Sequence, residues 1–345
     1  MNLNNYYSRQ LRLPEVGAEG QLRLSHARCL VVGAGGLGSA ALPYLAAAGI
    51  GTVGICDGDC LDVSNLHRQP IYSAADIGTL KAELAAKRMR ELNPMIKANV
   101  HPVFLNANNA FLLFSSYDLI LDCTDNFKTK FLINDAAYLA KKPVVRASIY
   151  QFEGQLQTYL PERKDACLRC MWQKVPEEGC VGTCQEVGVL GSIPGFFGVL
   201  QANEAIKFFL GLPVLQSNQL LFSDLIHYTQ QSITLERNEH CPLCGTHPSI
   251  SSLSDRYSWE ITPAELDESF TLIDIREKEE VKNDPYLNGP YLHLPMSCFD
   301  LAQLDSSTKY ALFCQRGRRS ASVVSALYKE RANVFSILGG IEALR

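Results

Sequence analysis

The stretch CLVVGAGGLG, residues 29–38, decides the fold of the first two thirds of this chain. Its first half is a short apolar run that ends at a glycine, which predicts a buried strand. The apolar segment SAALPYLAAAG that follows predicts a helix, and GTVGICDGD predicts a second strand that ends in acidic residues. The order strand, glycine loop, helix, strand is the first unit of a doubly wound α/β sheet.

Gly33, Gly35 and Gly38 give this loop the spacing G-x-G-x-x-G. Such a loop lets backbone N–H groups approach a phosphate, and the helix N-terminus favours its negative charge. Asp57 ends the second strand about 20 residues further on, where a carboxylate can bind ribose hydroxyls. Taken alone, these residues predict an NAD-dependent oxidoreductase, and a tight turn without a ligand is the simpler alternative.

The residues downstream change this interpretation. DGDCLDVSNLHRQ, residues 57–69, is followed by Gly78 and Lys81, and later by DCTDN, residues 122–126. A dehydrogenase needs neither an arginine nor a lysine at the phosphates. An enzyme that splits ATP needs such cations, because negative charge builds on the phosphate oxygens in the transition state. Asp125 lies at the tip of a predicted strand, where a carboxylate could hold Mg²⁺.

These motifs occur in the order found in the MoeB/ThiF family of activating enzymes, relatives of the ubiquitin-activating enzymes, and residues 5–247 resemble that family. The resemblance implies a Rossmann-like domain that adenylates, with ATP and Mg²⁺, the C-terminal glycine of a small ubiquitin-like sulfur-carrier protein ending in Gly-Gly. It implies that Asp57 binds the ribose, that Asn65, Arg68 and Lys81 contact the phosphates, and that Asp125 holds Mg²⁺. The residues so assigned to the nucleotide are Gly33, Gly35, Gly36, Gly38, Asp57, Asn65, Arg68, Lys81, Asp125 and Asn126.

Arg9, in YYSRQ, matches an arginine that the family inserts into the ATP site of the partner subunit. The resemblance therefore implies a homodimer with two shared sites and a catalytic role for Arg9. Without the resemblance, a solvated surface charge is the preferred interpretation of this residue.

Twelve cysteines are many for a chain that we expect to be cytoplasmic. A disulfide framework is the first alternative, but a chain of this length can bury a full core without disulfides. Two C-x-x-C pairs, Cys167 with Cys170 and Cys241 with Cys244, suit a tetrahedral zinc site with four thiolates and therefore a structural role. The long gap between the pairs also matches the family. Two unrelated reduced pairs, or thioredoxin-like redox chemistry, are the alternatives.

Cys184, in GCVGTCQEVG, lies where the family places a cysteine on a mobile crossover loop. In some members this cysteine forms a thioester or acyl disulfide with the carrier, and in others it is dispensable. A thioester on Cys184 would instead fit activation of a ubiquitin-like protein for conjugation. Cys180 could be a redox partner, and a loop thiol without a role is the simplest interpretation of either.

The composition changes near Thr246, and the Ser-rich stretch 248–256 predicts a linker. A second α/β pattern follows at residues 257–345, with a strand, YALF, that ends at Cys314. The loop CQRGRRS then opens a helix, so backbone N–H groups, the helix N-terminus and the arginines Arg316, Arg318 and Arg319 should lower the thiol pKa.

Residues 257–345 resemble a rhodanese domain in LIDIREKEE, HLPMS, the six-residue loop after YALF and the ending LGGIEAL. The resemblance implies that Cys314 carries a persulfide and passes sulfur to the activated carrier. A Cys-x5-Arg phosphatase is disfavoured because Ser320 stands where that motif has arginine, and an inactive rhodanese module is a further alternative. Asp274 and Arg276 are expected to support structure rather than chemistry.

The bulk properties bound the function. Hydrophobic residues make up 47% of the 345 residues and the net charge is −4, which predicts two or three ordinary globular domains and no nucleic-acid partner. We expect no membrane span, no secretory signal and a cytoplasmic location. The resemblance implies a carrier that serves a molybdopterin, thiamin, tRNA thiolation or other thio-metabolite pathway, with thiosulfate or a protein persulfide as the sulfur donor. A non-catalytic scaffold for a ubiquitin-like protein is the remaining alternative.

Overall fold

The computed structural model of the chain describes residues 3–176, 188–215, 218–254, 256–257, 259–285, 289–327 and 331–345. These residues form two compact units, one that ends with residue 254 and one that spans Arg256–Arg345. The division falls within the stretch that the sequence marks as a linker. Each unit has its own sheet and its own buried core.

The first unit is built on an eight-stranded sheet with the order β3-β2-β1-β4-β5-β6-β7-β8. The first five strands in this order, β3-β2-β1-β4-β5, pair in parallel. The strands β6, β7 and β8 continue the sheet as an antiparallel meander. Their bounds are β1 (Arg28–Val32), β2 (Thr52–Cys56), β3 (Lys97–His101), β4 (Leu119–Asp122), β5 (Val144–Tyr150), β6 (Glu153–Tyr159), β7 (Gln219–Asp224) and β8 (Thr229–Thr234). Because the chain continues from β3 to β4 across the sheet, β1 and β4 form the switch point at which a doubly wound sheet binds its ligand.

Helices cover both faces of this sheet. Cys29 and Val31 of β1 pack into one buried cluster and Leu30 and Val32 into the other, so the strand is apolar throughout. The helices are α1 (Leu3–Tyr6), α2 (Gly17–His26), α3 (Gly36–Ala48), α4 (Lys81–Leu92), α5 (Ala110–Ser115), α6 (Phe127–Ala140), α7 (Leu168–Met171) and α8 (Ser192–Leu210).

The second unit holds a five-stranded parallel sheet with the order β11-β10-β12-β13-β9. Its strands are β9 (Glu260–Ile261), β10 (Phe270–Asp274), β11 (Leu292–His293), β12 (Lys309–Phe313) and β13 (Val334–Ile337). Its helices are α9 (Lys278–Asn283), α10 (Arg318–Leu327) and α11 (Gly340–Leu344). The core beneath the sheet contains Ala311, Phe313, Ile337 and Ile341.

The strand β3 was not predicted from the sequence, which marks only the more apolar strands of this unit. β3 reads KANVH and has a single buried residue, so it lacks the apolar run that marks the central strands. Within the described part of the chain, no helix has the length and apolar character needed to cross a bilayer.

Candidate functional site

The glycine loop between β1 and α3 is shaped by close backbone approaches. Gly33 has a φ of +94°, and a Cβ there would lie 2.7 Å from the carbonyl oxygen of Cys123. A Cβ at Gly38 would lie 2.0 Å from the carbonyl oxygen of Gly33, and one at Gly36 would lie 2.9 Å from Pro194 Cβ. At Gly35 the nearest atom would be 3.6 Å away. Gly35 therefore leaves room at the N-terminus of α3, where an anion is stabilised.

Asp57 is anchored to this loop from the end of β2. One carboxylate oxygen accepts a hydrogen bond from the backbone N–H of Ala34 at 2.7 Å, and the other accepts from the backbone N–H of Asp59 at 2.8 Å. Burial raises the pKa of Asp57, although these two hydrogen bonds and the charge of Lys81 act against the rise. The carboxylate is thus fixed beside the loop in the position that a dinucleotide fold uses for ribose.

Lys81 is a buried cation at the first position of α4. Its Nζ lies 3.3 Å from Asp59 Oδ2, and only 8% of its side chain is exposed. Its backbone N–H donates to the carbonyl oxygen of Asp59 at 2.9 Å, which ties the helix start to the loop after β2. A lysine held out of water beside the glycine loop can act on phosphate oxygens with little screening.

Asn65 and Arg68 lie on the 3₁₀ turn Val63–Arg68. Asn65 is buried, and its side chain accepts a hydrogen bond from the backbone N–H of Asp62 at 3.2 Å in a capping box. Arg68 Nη1 donates to the carbonyl oxygen of Ser64 at 2.6 Å and lies 3.1 Å from His67 Nε2. The guanidinium of Arg68 is therefore positioned by residues of the same turn.

Gln69, which follows Arg68, was not singled out from the sequence. It is 3% exposed, and its Oε1 has no hydrogen-bond partner within the described residues. Its Nε2 is the atom 3.6 Å from the position that a Cβ on Gly35 would take. A buried amide with a free acceptor beside an open loop can bind a ligand group. The sequence signal that could have identified Gln69 is its place beside Arg68 at the end of the motif of residues 57–69.

Asp125 and Asn126 lie in the loop between β4 and α6. Asp125 is exposed, whereas Asn126 caps α6 by accepting a hydrogen bond from the backbone N–H of Thr129 at 2.9 Å. Arg9 is exposed in the turn after α1. Gly33, Asp57 and Asp125 thus follow the carboxyl ends of the parallel strands β1, β2 and β4. The structure therefore places these three predicted site residues at the same edge of the sheet.

The two C-x-x-C pairs meet in space. Cys167 Sγ lies 3.6 Å from Cys241 Sγ and 3.5 Å from Cys244 Sγ, and Cys170 Sγ lies 3.4 Å from Cys244 Sγ. All four sulfur atoms lie within 4.8 Å of one another. Hydrogen bonds among the sulfurs raise the pKa of Cys167 and lower that of Cys170.

These distances suit zinc. A Zn–S bond of about 2.3 Å in a tetrahedron sets the sulfurs about 3.8 Å apart. The four cysteines therefore fit the ion that the sequence predicted, and with four protein ligands no coordination position is left for a substrate.

Cys314 directly follows β12 and is buried at the start of the loop that leads into α10. Burial acts to raise its pKa, but hydrogen bonds from the backbone N–H groups of Ser320, Arg316 and Arg319 and from the Ser320 hydroxyl prevail, so the pKa of Cys314 is lowered. The Ser320 Oγ lies 3.8 Å from Cys314 Sγ. The loop thus favours a thiolate.

Two of the arginines in this loop are already paired with carboxylates. Arg319 forms two hydrogen bonds of 2.6 Å with the carboxylate of Glu280, and Arg316 Nε lies 3.2 Å from Glu342 Oε1. The sequence predicted that backbone N–H groups and these arginines together lower the Cys314 pKa. The chief lowering influences in the structure are the backbone N–H groups and the Ser320 hydroxyl. Arg319 also acts on the Cys314 sulfur through its charge and a side-chain hydrogen bond.

Asp274 and Arg276 form a fully buried ion pair with an Nη2–Oδ2 distance of 2.7 Å. Arg276 also donates to the carbonyl oxygen of Asp284 and to Gln315 Oε1 of the Cys314 loop. This burial and these contacts fit the expected structural role of the pair, which stays a prediction. Cys180 and Cys184 lie outside the described residues.

Comparison with known proteins agrees with the geometry of the first unit. The model of the ThiF family matches residues 7–243. The sulfur carrier protein adenylyltransferase of Thermus thermophilus is 44% identical over 253 residues, which cover 72% of this chain and 93% of the relative. The probable adenylyltransferase/sulfurtransferase MoeZ of Mycobacterium tuberculosis is 38% identical over 98% of this chain and 91% of its own length. The solved structure of Escherichia coli MccB with MccA-N7isoASN has a similar fold, with a TM-score of 0.62, 22% identity, and coverage of 71% of this chain and 76% of that chain.

Proposed function

The chain belongs to the ThiF family, and we propose that it adenylates the C-terminus of a small ubiquitin-like sulfur-carrier protein and then transfers sulfur to it. It is an adenylyltransferase and a sulfurtransferase, the two activities that the name of the Mycobacterium tuberculosis relative gives over 98% of this chain. ATP is the nucleotide substrate. The carrier ends in Gly-Gly, and the sulfur donor is a protein persulfide or thiosulfate.

The observation that carries this proposal is the buried Lys81, whose charge acts on Asp57, the carboxylate bound to the glycine loop. Hydride transfer to a nicotinamide places no new charge on phosphates, so an oxidoreductase gives such a lysine no task. Transfer of an adenylyl group builds negative charge on phosphate oxygens in the transition state, and a poorly screened cation stabilises that charge.

In the first step, a carboxylate oxygen of the carrier attacks the α-phosphorus of ATP, the bond to the β-phosphate oxygen breaks, and pyrophosphate leaves. Asp57 holds the ribose, and the glycine loop lies against the phosphates. Asn65, Arg68 and Lys81 contact the phosphate oxygens. Asp125 would hold Mg²⁺, which neutralises phosphate charge. The chain contributes positioning and electrostatic stabilisation rather than a covalent intermediate.

In the second step, the terminal sulfur of a Cys314 persulfide attacks the acyl carbon, AMP leaves, and an acyl disulfide links the carrier to Cys314. A second thiol must then attack the Cys314 sulfur, which releases the carrier thiocarboxylate and leaves a disulfide for an external thiol to reduce. Cys184 is our candidate for that second thiol. The lowered pKa of Cys314 favours the sulfur anion that this rhodanese-like reaction requires.

The remaining assignments belong to the same proposal. The cysteine cluster holds a structural zinc ion that ties residues 167–170 to residues 241–244. Arg9 acts in the site of a second copy in a homodimer, which its exposed position permits. Residues 257–345 form the rhodanese-like domain, and residues 1–247 form the adenylylating one.

The decisive experiment is ATP–pyrophosphate exchange with Mg²⁺, with and without a panel of small carriers that end in Gly-Gly. We expect exchange that depends on one carrier and stops when its terminal glycine is deleted. Exchange without a carrier, or protection of the chain by NAD rather than by ATP, would contradict the proposal.

A further inference from the structure

Arg146 is a buried cation to which the reaction proposed above assigns no task. It lies on β5, in register with Asp122 of β4 and Gln157 of β6. Residues in register on neighbouring strands project from the same face of a sheet, so these three side chains share one face. Arg146 is 8% exposed, and a guanidinium remains charged in proteins.

The guanidinium of Arg146 is only partly satisfied. Its Nη2 donates to Asn134 Oδ1 at 3.1 Å, and its Cζ lies 5.2 Å from the centre of the Tyr159 ring. Its Nε and Nη1 have no hydrogen-bond partner within the described residues, and neither does the Oε1 of Gln157.

The carboxylates that act on Arg146 already have other cations. Asp122 Oδ1 lies 3.3 Å from Lys130 Nζ, and Asp135 Oδ2 lies 2.7 Å from Arg169 Nη2. This group of side chains therefore carries more positive than negative charge. A buried charge without a counter-charge is strongly unfavourable, so the fold must supply one.

The cysteine cluster adjoins Arg146. Asn134 Oδ1, which accepts from Arg146, also accepts from the backbone N–H of Leu168 at 2.8 Å. Gln157 Nε2 donates to the carbonyl oxygen of Ala166 at 3.2 Å. The residues on both sides of Cys167 are thus bonded to immediate neighbours of Arg146, and Cys167 is among the groups whose charge acts on the guanidinium.

We propose that Arg146 is the buried counter-charge of the metal–thiolate cluster formed by Cys167, Cys170, Cys241 and Cys244. Zinc with four thiolates has a net charge of −2, and Arg146 supplies positive charge from inside the sheet. This role rests on the proposed zinc site. It makes Arg146 a positioning residue that strengthens metal binding without being a ligand.

The test measures zinc affinity in the full-length chain by competition with a chromophoric chelator, after total metal analysis of the purified protein. Arg146→Met removes the charge at similar size, and Arg146→Lys retains it. We expect about a 10- to 100-fold loss of affinity in the first variant, the range found when groups around a metal site are removed. The second variant should stay within about fivefold of the wild-type chain, because it keeps the charge that the proposal requires.

Lys130→Met is the matched control, because it also removes a buried cation of the same network but one paired with Asp122. It should leave zinc affinity near the wild-type value. An Arg146→Met affinity within twofold of wild type, or a loss equal to that of Lys130→Met, would overturn the inference. If Arg146→Met fails to fold, Arg146→Lys decides, since a large loss of zinc there shows that packing rather than charge matters. A wild-type chain that takes up no zinc would instead remove the zinc site itself, and metal analysis separates that result from the others.

Discussion

Lys81 is the residue on which the choice of nucleotide chemistry depends. Its ammonium group lies almost out of water beside Asp59. Replacement by methionine keeps most of the packing and removes the charge. We expect Lys81→Met to lower carrier-dependent ATP–pyrophosphate exchange by about 10²- to 10³-fold, as loss of one transition-state donor does elsewhere.

Arg88 provides the control for this prediction, because it lies on the same helix but is exposed and paired with Glu91. Arg88→Met should leave the exchange rate within about twofold of wild type, since exposed ion pairs contribute little. Equal effects of the two substitutions would mean that Lys81 supports the helix rather than the reaction.

Ser320 gives a second prediction, which concerns the sulfur site. Its N–H and hydroxyl groups help to lower the Cys314 pKa. Ser320→Ala removes the hydroxyl and should raise that pKa, so the acid limb of thiosulfate sulfurtransferase activity should move to higher pH. Thiolate absorbance near 240 nm, taken as the difference from Cys314→Ser, measures the pKa directly.

Arg316→Gln is the matched variant, because Arg316 is exposed and paired with Glu342. We expect it to leave the acid limb unchanged. A shift with Arg316→Gln but not with Ser320→Ala would show that guanidinium charge, rather than the Ser320 hydroxyl, lowers the Cys314 pKa.

At the scale of elements, the strand–loop–helix unit of residues 28–48 contains two kinds of glycine. Some are required by close packing of the backbone, and one leaves room for the ligand. A Cβ at Gly38 would lie 2.0 Å from a carbonyl oxygen, whereas Gly35 has room for one. We expect Gly38→Ala to lower the melting temperature strongly and Gly35→Ala to leave it nearly unchanged while raising the KM for ATP. Thermal unfolding and pyrophosphate exchange on both variants check this, and an unchanged KM for Gly35→Ala would contradict the role of the open loop.

The sequence predicted those elements whose patterns are local. The apolar strands β1 and β2 and the helix α3 between them were predicted because their burial is visible in a short window of sequence. The meander β6 to β8 was not, because β8 reads TQQSIT and is exposed along its whole length. Its strand conformation depends on pairing with β7, which a window of sequence does not show.

The same division applies to the site. Motif residues such as Gly33 and Asp57 were predictable because each one follows a strand. The ion pairs of Arg316 with Glu342 and of Arg319 with Glu280 join residues about 26 and 39 positions apart, and no spacing rule connects them. The free Oε1 of Gln69 and the isolated charge of Arg146 depend likewise on neighbours that only the fold brings together.

At the scale of the whole molecule, the cysteine cluster joins two segments more than 70 residues apart. Chelation should therefore lower stability throughout the first unit. Zinc present at about a thousandfold its Kd stabilises the bound form by about 4 kcal/mol, which corresponds to roughly 8–16 °C in melting temperature for a unit of this size. Calorimetry before and after chelation tests this, and Cys241→Ser should reproduce the chelated value without further change on adding chelator.

The fusion of two units in one chain predicts a kinetic advantage that neither unit has alone. Each unit has its own sheet and core, so separate proteins of residues 1–254 and 256–345 should fold, the first retaining pyrophosphate exchange and the second thiosulfate sulfurtransferase activity. Short flexible linkers give effective concentrations near 1 mM. At about 1 μM of each fragment, thiocarboxylate formation should therefore fall by up to about 10³-fold relative to the intact chain. The rate should recover in proportion to the concentration of added second fragment, because tethering changes only how often the two units meet. An equal rate for fragments and intact chain at 1 μM would show that sulfur reaches the acyl-adenylate by a route that does not use Cys314 of the same molecule.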